Sequence, residues 1–174
     1  MSPTPTTRRK ALLAGVALAS LLAVPAWADG GATRNVDANG LMLRGYDPVA
    51  YFTLGEATPG SPDLAAEHEG AVYHFASAEH RDRFLADPTA YAPAYGGFCA
   101  LGTAMGRKFD GDPEIWAVVD GRLYVNVHQG AQQRWQGNPA GYIATADHNW
   151  PLIRDVPDAT LEASPPAGLR SGAS

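Results

Sequence analysis

The chain has 174 residues, of which 45% are apolar and 18% are charged, and it contains a single cysteine. This length and composition fit one globular domain and exclude an intrinsically disordered chain. One cysteine cannot build a disulfide scaffold, and it also excludes zinc ribbons and iron–sulfur folds, which need several thiolates.

The beginning of the chain has the pattern of an export signal. Residues 8–10 (RRK) form a positively charged start, residues 11–24 form an apolar stretch, and residues 26–28 (AWA) form a small-x-small cleavage site. A transmembrane anchor is the alternative, but spanning a bilayer takes about 20 apolar residues. We therefore predict a signal peptide over residues 1–28 and a mature chain that begins at Asp29.

The signal region also bears on export route and partners. Its paired arginines favour twin-arginine export, although the Phe that usually follows the pair is absent and the general secretory route stays open. Without the three cations of this region, the mature chain has 10 Lys and Arg against 18 Asp and Glu, a net charge of −8. This charge argues against a nucleic-acid partner. No second stretch approaches membrane-spanning length, so we expect a soluble periplasmic protein with no membrane partner after cleavage.

Both ends of the mature chain are polar and lack a sustained period. Residues 29–40 are rich in Gly, and residues 155–174 are rich in Pro, Ser and Ala. Such composition predicts a flexible leader over 29–40 and a disordered tail over 155–174. The folded domain is then expected over residues 41–154.

An internal repeat without gaps runs through this domain. Residues 61–91 align with residues 112–142 at an offset of 51, and seven of the 31 positions are identical. About two identities are expected from average composition, so a duplication is favoured over coincidence. The identical pairs are Pro62 and Pro113, Ala66 and Ala117, Gly70 and Gly121, Tyr73 and Tyr124, Arg83 and Arg134, Pro88 and Pro139, and Tyr91 and Tyr142.

Each repeated unit has the pattern of a hairpin followed by helices. Residues 69–70 (EG) and 120–121 (DG) are turn signals between strand-like runs. Ser77 can cap a first helix, while residues 87–88 (DP) and 138–139 (NP) end each first helix and begin a short second one. We therefore predict an α+β fold in which both hairpins form one small antiparallel sheet with the helices on one face.

Five motifs in order resemble a known family. They are Asp47-Pro48-Val49-Ala50-Tyr51-Phe52, Tyr73-His74-Phe75-Ala76-Ser77, Tyr95-Gly96-Gly97-Phe98-Cys99-Ala100, Asp120-Gly121-Arg122-Leu123-Tyr124-Val125-Asn126, and Asn149-Trp150-Pro151. Together they resemble the exported YHS-domain family over residues 41–151. The resemblance implies a small α+β domain often linked with heavy metals, copper in particular, and no established catalytic reaction. Short metal-associated members end the first motif with a candidate Cys ligand, whereas this chain has Ala50, so that ligand does not transfer.

Cys99 is the only thiol in the chain and the main candidate metal ligand. It follows a Gly pair that permits a sharp turn, and a helix beginning after it would lower the pKa of the thiol. A thiolate there could bind a soft metal or attack an electrophile, and Met105 could add a thioether, a combination that suits Cu(I). The alternative is that both are core residues.

Two histidines are further candidate ligands because the repeat is asymmetric at their positions. His74 stands where the second unit has Val125, and His128 stands where the first unit has Ser77. A duplicated scaffold can acquire function at such positions. Each histidine, taken alone, also fits an ordinary surface position.

Asp47, Tyr51 and Tyr95 are candidates for a cofactor-binding pocket with aromatic walls and one carboxylate. The alternative is that Asp47 belongs to a turn and the tyrosines fill the core. The sequence contains no Ser-His-Asp order, phosphate loop or dinucleotide fingerprint, so we predict no catalytic residue.

These observations favour a periplasmic, non-enzymatic domain that binds a soft metal. Copper is the one cofactor implied, with Cys99, His74, His128 and Met105 as its predicted ligands. The expected partner is a metal ion or small ligand, and a protein partner is the alternative. Two other functions stay open, a thiol enzyme or redox partner that uses Cys99, and a metal-free protein-interaction module.

Overall fold

A computed structural model describes residue 1 and residues 33–171 of the chain. The predicted signal peptide, its cleavage site, residues 29–32 and residues 172–174 therefore lie outside the described residues, apart from Met1. No helix in the described part is long and apolar enough to cross a membrane.

The elements alternate between hairpins and helices, which confirms the α+β class. Two 3-10 turns, Leu43–Gly45 and Ala94–Gly97, lead into the first and fourth helices. In chain order the helices and strands are α1 (Ala50–Thr53), β1 (Ser61–His68), β2 (Ala71–Phe75), α2 (Ala78–Ala86), α3 (Pro88–Tyr91), α4 (Ala100–Ala104), β3 (Asp112–Val119), β4 (Arg122–Asn126), α5 (Gln129–Gln136), α6 (Pro139–Ile153) and α7 (Asp158–Ala163).

Both hairpins are formed by the turn signals seen in the sequence. The φ angles are 49° and 77° at Glu69-Gly70, and 50° and 72° at Asp120-Gly121. Two consecutive positive φ angles match the twist of a two-residue hairpin loop, and Gly adopts this conformation without steric cost. Each hairpin also has a register irregularity near the start of its first strand, at corresponding positions.

The two hairpins form separate two-stranded sheets, so the expectation of one shared sheet is wrong. The free edge of β2 is bridged by Leu41, and the free edge of β4 is bridged by Cys99, both in parallel. The Val72 amide donates to Gly40 O at 2.8 Å, and the Met42 amide donates to Val72 O at 2.8 Å. Because the chain segments that lead into α1 and α4 occupy these edges, the hairpins cannot pair there.

Side chains cap the first helix of each unit at equivalent positions. Ser77 Oγ accepts from the His80 amide at 3.1 Å, and His128 Nδ1 accepts from the Ala131 amide at 3.0 Å. Such caps satisfy a donor that has no partner inside the helix. The second helices differ, because α3 is short as predicted, with four residues, whereas α6 has 15 residues and is not short.

The two units correspond over more than the aligned segments. Each strand of 61–91 recurs with the same length 51 residues later, and each helix begins at the equivalent residue. The φ angles of residues 43–45, which are 52°, 51° and 85°, recur as 54°, 59° and 82° at residues 95–97. These recurrences are what a duplication requires, and superposition of the two units in space stays a prediction.

Most of the buried apolar residues form two clusters. One packs around the first hairpin and α1, and the other packs around α4, α5 and α6. Burying a large apolar side chain contributes about 1.5–3 kcal/mol. The first cluster is Met42, Leu43, Val49, Tyr51, Ala71, Tyr73, Phe75, Phe84, Leu123 and Val125, and the second is Tyr95, Cys99, Ala100, Leu101, Ala104, Tyr124, Ala131, Trp135, Tyr142 and Ala146.

Residues of the segments predicted as a flexible leader and a disordered tail make specific contacts with the domain. In the leader, Asn35 Nδ2 donates to Gly97 O at 3.0 Å. In the tail, Leu161 on α7 is buried, and Asn149 Oδ1 accepts from the Arg170 amide at 2.9 Å. These segments are held by single apolar and amide side chains. Isolated contacts of this kind produce no periodic pattern in the sequence, so sequence analysis does not detect them.

We predict that Leu161→Ala lowers the free energy of unfolding by about 2–5 kcal/mol, the usual cost of removing a buried leucine side chain. Leu85→Ala is the matched control because Leu85 is 54% exposed, and it should change stability by no more than about 0.5 kcal/mol. Urea denaturation followed by circular dichroism measures both. Equal, small losses in the two variants would show that α7 does not pack on the domain.

Candidate functional site

Cys99 lies between the 3-10 turn Ala94–Gly97 and α4, with 1% of its surface exposed. Its Sγ accepts from the Gly102 amide at 3.4 Å and donates to Asn126 Oδ1 at 3.3 Å. The thiol is therefore held at a fixed position by partners on two elements. No other described residue is a cysteine.

A cavity of about 320 Å³ adjoins Cys99. Met105 and His128 also line it, so it brings together three of the four predicted metal ligands. Phe109 and Arg134 are among the other residues that line it. Met105 is 48% exposed, which leaves its thioether accessible from solvent. The sulfur atoms of Cys99 and Met105 are the soft donors at this cavity.

Two opposing effects act on the thiol of Cys99. Burial raises its pKa, because the thiolate would lose its hydration, and this effect is the larger. The backbone N–H groups of Gly102, Val127 and Leu101 act in the opposite direction and lower the pKa, and of these the Gly102 amide donates to Sγ. The thiol therefore keeps its proton at neutral pH, while nearby N–H groups favour a thiolate once the proton leaves.

A matching arrangement holds Asp47 in the first unit. Oδ1 of Asp47 accepts from two amides at 2.8 and 3.3 Å, and Oδ2 accepts from a third at 2.8 Å. The donors at Asp47 are Val49, Ala50 and Ala76. At Cys99 the Gly102 amide donates to Sγ, and the amides of Leu101 and Val127 also act to lower the pKa of the thiol. A carboxylate in the first unit and a thiol in the second therefore have comparable surroundings of backbone N–H groups.

Asp47 is fully buried, and a fourth donor completes its partners. His80 Nδ1 lies 2.6 Å from Asp47 Oδ2, and His80 Nε2 lies 3.1 Å from Thr53 Oγ1. Both carboxylate oxygens are therefore engaged inside the protein. The arrangement assigns Asp47 to holding α1 and α2 together, and leaves it no free oxygen for a cofactor.

Tyr51 and Tyr95 lie in different clusters, so the structure does not bring the predicted cofactor-binding residues together. The Tyr51 hydroxyl donates to Pro113 O at 2.9 Å, and the Tyr95 hydroxyl donates to Asp147 Oδ1 at 3.0 Å. Burial raises the pKa of both phenols, so both remain protonated donors. They fill the core and satisfy their hydroxyls there, and neither lines the cavity at Cys99.

His128 reaches the cavity in a form that does not bind metal. Its Nδ1 accepts the Ala131 amide, so the neutral ring carries its proton on Nε2. A protonated nitrogen has no lone pair for a metal ion. His128 can become a ligand only if its ring leaves the cap of α5.

His74 lies away from the cavity. It is on β2 opposite Ala65, and its ring and backbone adjoin Gly45 and Gly60. The sequence indicates His74 as a ligand only because the other unit has Val125 at the equivalent position. A difference between the two units does not indicate how far His74 lies from Cys99. The prediction that His74 joins Cys99 in one site is therefore not supported by its placement.

Two buried residues that position Cys99 were missed by the sequence analysis. Besides the thiol, Asn126 Oδ1 accepts the Leu101 amide at 3.0 Å, and Asn126 Nδ2 donates to Gln132 Oε1 at 2.6 Å. Gln132 Nε2 in turn donates to Trp116 O at 2.9 Å. The signal was present, since Asn126 aligns with Phe75 and places an amide where the first unit has an apolar core residue.

Within residues 33–171, no group of three or more His, Cys, Asp or Glu side chains is arranged to hold a metal ion. A metal at the cavity would therefore have to use the thiol and the thioether, with His128 only after its ring moves. This donor set fits a soft ion.

Comparisons with known protein families, curated proteins and solved structures found no match. The assignment to the YHS-domain family stays a prediction from the five sequence motifs.

We predict that Asp47→Ala destabilises the fold by about 3–5 kcal/mol, because it leaves buried donors, His80 among them, without their acceptor. Asp63→Ala is the control, since Asp63 is exposed, and its unfolding free energy should stay close to wild type. Thermal and urea denaturation give both values. A small loss at Asp47 with loss of a bound ligand would instead restore its predicted cofactor role.

Proposed function

We propose that this protein is an exported, non-enzymatic domain that binds Cu(I) at the cavity beside Cys99. The observation that carries the proposal is the presence of a thiol and a thioether on one cavity. Thiolate and thioether ligands select Cu(I) over harder ions. The predicted signal peptide and the resemblance to exported YHS-domain proteins, which are linked with copper, support the same function.

Binding would exchange a proton for the metal ion. The Cys99 thiol releases its proton, Cu(I) takes its place on Sγ, and the charges of thiolate and Cu(I) cancel inside the protein. The Gly102 amide that already donates to Sγ stabilises the thiolate. Asn126 Oδ1 loses the thiol as a donor and keeps the Leu101 amide.

A thiol enzyme has less support from the same geometry. An activated cysteine needs a base with a free lone pair within hydrogen-bond reach. The Cys99 thiol donates to the Asn126 carboxamide, which is not a base, and the Nδ1 lone pair of His128 is engaged by the Ala131 amide. Burial also holds the thiol in its protonated, less reactive form.

We predict that Cys99→Ser abolishes Cu(I) binding while the fold is retained, because the substitution removes the strongest soft donor. Met105→Leu should weaken binding by at least about tenfold, since even partners outside the first coordination shell affect metal affinity on that scale. Anaerobic competition against a colorimetric Cu(I) chelator measures the affinity. Unchanged binding by Cys99→Ser, or no binding by wild type, contradicts the proposal.

Two histidine variants serve as matched controls for this titration. His74→Ala should bind as wild type, because His74 does not line the cavity. His128→Ser keeps a capping oxygen on α5, as Ser77 does on α2, and removes only the imidazole. Wild-type affinity in His128→Ser would assign the site to the two sulfurs.

The affinity for Cu(I) should rise with pH. Below the pKa of the thiol, the metal competes with one proton, so the apparent affinity should increase by about tenfold per pH unit. Because burial raises the pKa of Cys99, the increase should continue through neutral pH. Chelator competition between about pH 6 and 8 tests this prediction. An affinity that stays constant over this range would show that the thiol is not a ligand.

A further inference from the structure

We propose that a second cleft binds a small aromatic carboxylate. The cleft lies between the first hairpin and the end of α6, has a volume of about 300 Å³, and is lined by Arg34, Tyr73 and Trp150 among others. This size is at the lower end of small-molecule pockets. The cleft shares no lining residue with the cavity at Cys99, so the inference does not depend on copper binding.

The hydroxyl of Tyr73 is the polar group that this cleft leaves unused. Tyr73 is 2% exposed, and its hydroxyl has no hydrogen-bond partner among residues 33–171. Burial raises the pKa of Tyr73 to about 12, so the hydroxyl is a donor at neutral pH. Among the described side chains only Trp135 Nε1 is a fully buried polar atom without a hydrogen bond, so the Tyr73 hydroxyl is open to the cleft, where a ligand oxygen can accept its proton. Tyr51 and Tyr95, by contrast, have protein acceptors.

The guanidinium of Arg34 supplies the positive charge beside this hydroxyl. Its charge acts on Tyr73, and it pairs with Glu69 across the cleft. The Arg34 side chain is 27% exposed and that of Glu69 is 62% exposed, so the cation lies deeper than its partner. An exposed ion pair contributes little, and a guanidinium can hold a carboxylate through two parallel hydrogen bonds. A ligand carboxylate that enters the cleft can therefore take the place of the Glu69 carboxylate on the guanidinium of Arg34.

Trp150 provides a flat apolar surface next to these polar groups. Its ring is fixed by Tyr95 and Phe98, with ring centroids 6.0 and 6.2 Å away. Pro93 and Met42 extend the apolar wall. A planar ring packs well on such a surface. The combination of an apolar plane with a deep cation and a free hydroxyl matches a ligand that has an aromatic body and one carboxylate.

Charges at the rim limit the expected affinity. Arg154 also lines the cleft, but it pairs with Asp155 at 3.0 Å, and both side chains are more than half exposed. Asp155 and Glu69 repel an anion while Arg154 attracts it, so the rim adds little net attraction. We expect a dissociation constant for a simple probe of about 1 mM.

Benzoate is the probe, with benzamide as its uncharged counterpart. The mature wild-type chain and two variants, Arg34→Gln and Tyr73→Phe, are titrated with each compound and followed by ¹H–¹⁵N NMR. Tyr73→Phe removes an oxygen that has no protein partner, so its melting temperature should match wild type. Arg44→Gln is the control, because Arg44 is likewise an arginine paired with an acid, Asp112 at 3.6 Å, and does not line the cleft.

Saturable shifts with benzoate that include the Trp150 indole signal are expected. Arg34→Gln and Tyr73→Phe should each weaken binding by about tenfold, the scale of one hydrogen bond to a charged group, while Arg44→Gln binds as wild type. Benzamide should bind about tenfold more weakly than benzoate. The proposal is overturned if benzoate gives no saturable shift, if benzamide binds equally well, or if either cleft variant binds as tightly as wild type.

Discussion

Each of the two units has one buried side-chain acceptor near the start of a helix, and backbone N–H groups surround it. At the start of α1 the acceptor is the Asp47 carboxylate, which also accepts the Ala76 amide and so ties α1 to the loop after β2. At the start of α4 the Gly102 amide donates to the Cys99 thiol, and the Val127 amide acts to lower the pKa of that thiol. Both sets of N–H groups belong to the backbone, so a carboxylate in one unit and a thiol in the other face similar donors.

The exchange of carboxylate for thiol has consequences for the residues around it. A carboxylate accepts several strong hydrogen bonds, whereas a neutral thiol is a weak acceptor and has a proton to donate. The second unit accommodates this proton with Asn126, and Gln132 satisfies the Asn126 amide group. The first unit has Phe75 and Arg81 at these positions and uses His80 on the carboxylate. The two units thus place different polar groups within the same order of strands and helices.

The parts of the fold that the sequence predicts correctly are those decided within a few residues. The turns at Glu69-Gly70 and Asp120-Gly121 and the cap at Ser77 depend on local conformation and on side chains one turn away. The number of sheets depends on distant segments, because Leu41 and Cys99 occupy the strand edges. No local pattern contains that information, and the same holds for the contacts of Asn149 with the tail.

In the candidate site, too, some residues are identified by the sequence, whereas other contacts depend on tertiary structure. Chemical type alone identified Cys99 and Met105, and the repeat identified His128, and all three line one cavity. The repeat also singled out His74, which the fold places elsewhere, and it contained the signal for Asn126, which went unused. For Asp47, a carboxylate in a motif suggested a ligand site, but its oxygens are used by four internal donors, a fact that depends on tertiary structure.

The tail also contacts the end of the helix that follows Cys99. Asn149 Nδ2 donates to the carbonyls of Thr103 and Ala104 at the end of α4 and to Arg170 O, and Leu169 packs against Gly106. The helix that follows Cys99 is therefore covered by a segment near the chain terminus. Neither Leu169 nor Arg170 lines the cavity at Cys99. A segment held by few contacts opens locally at a low free-energy cost. Amide hydrogen exchange at the end of α4 should therefore report the detachment of this segment, while access to the thiol stays with the cavity.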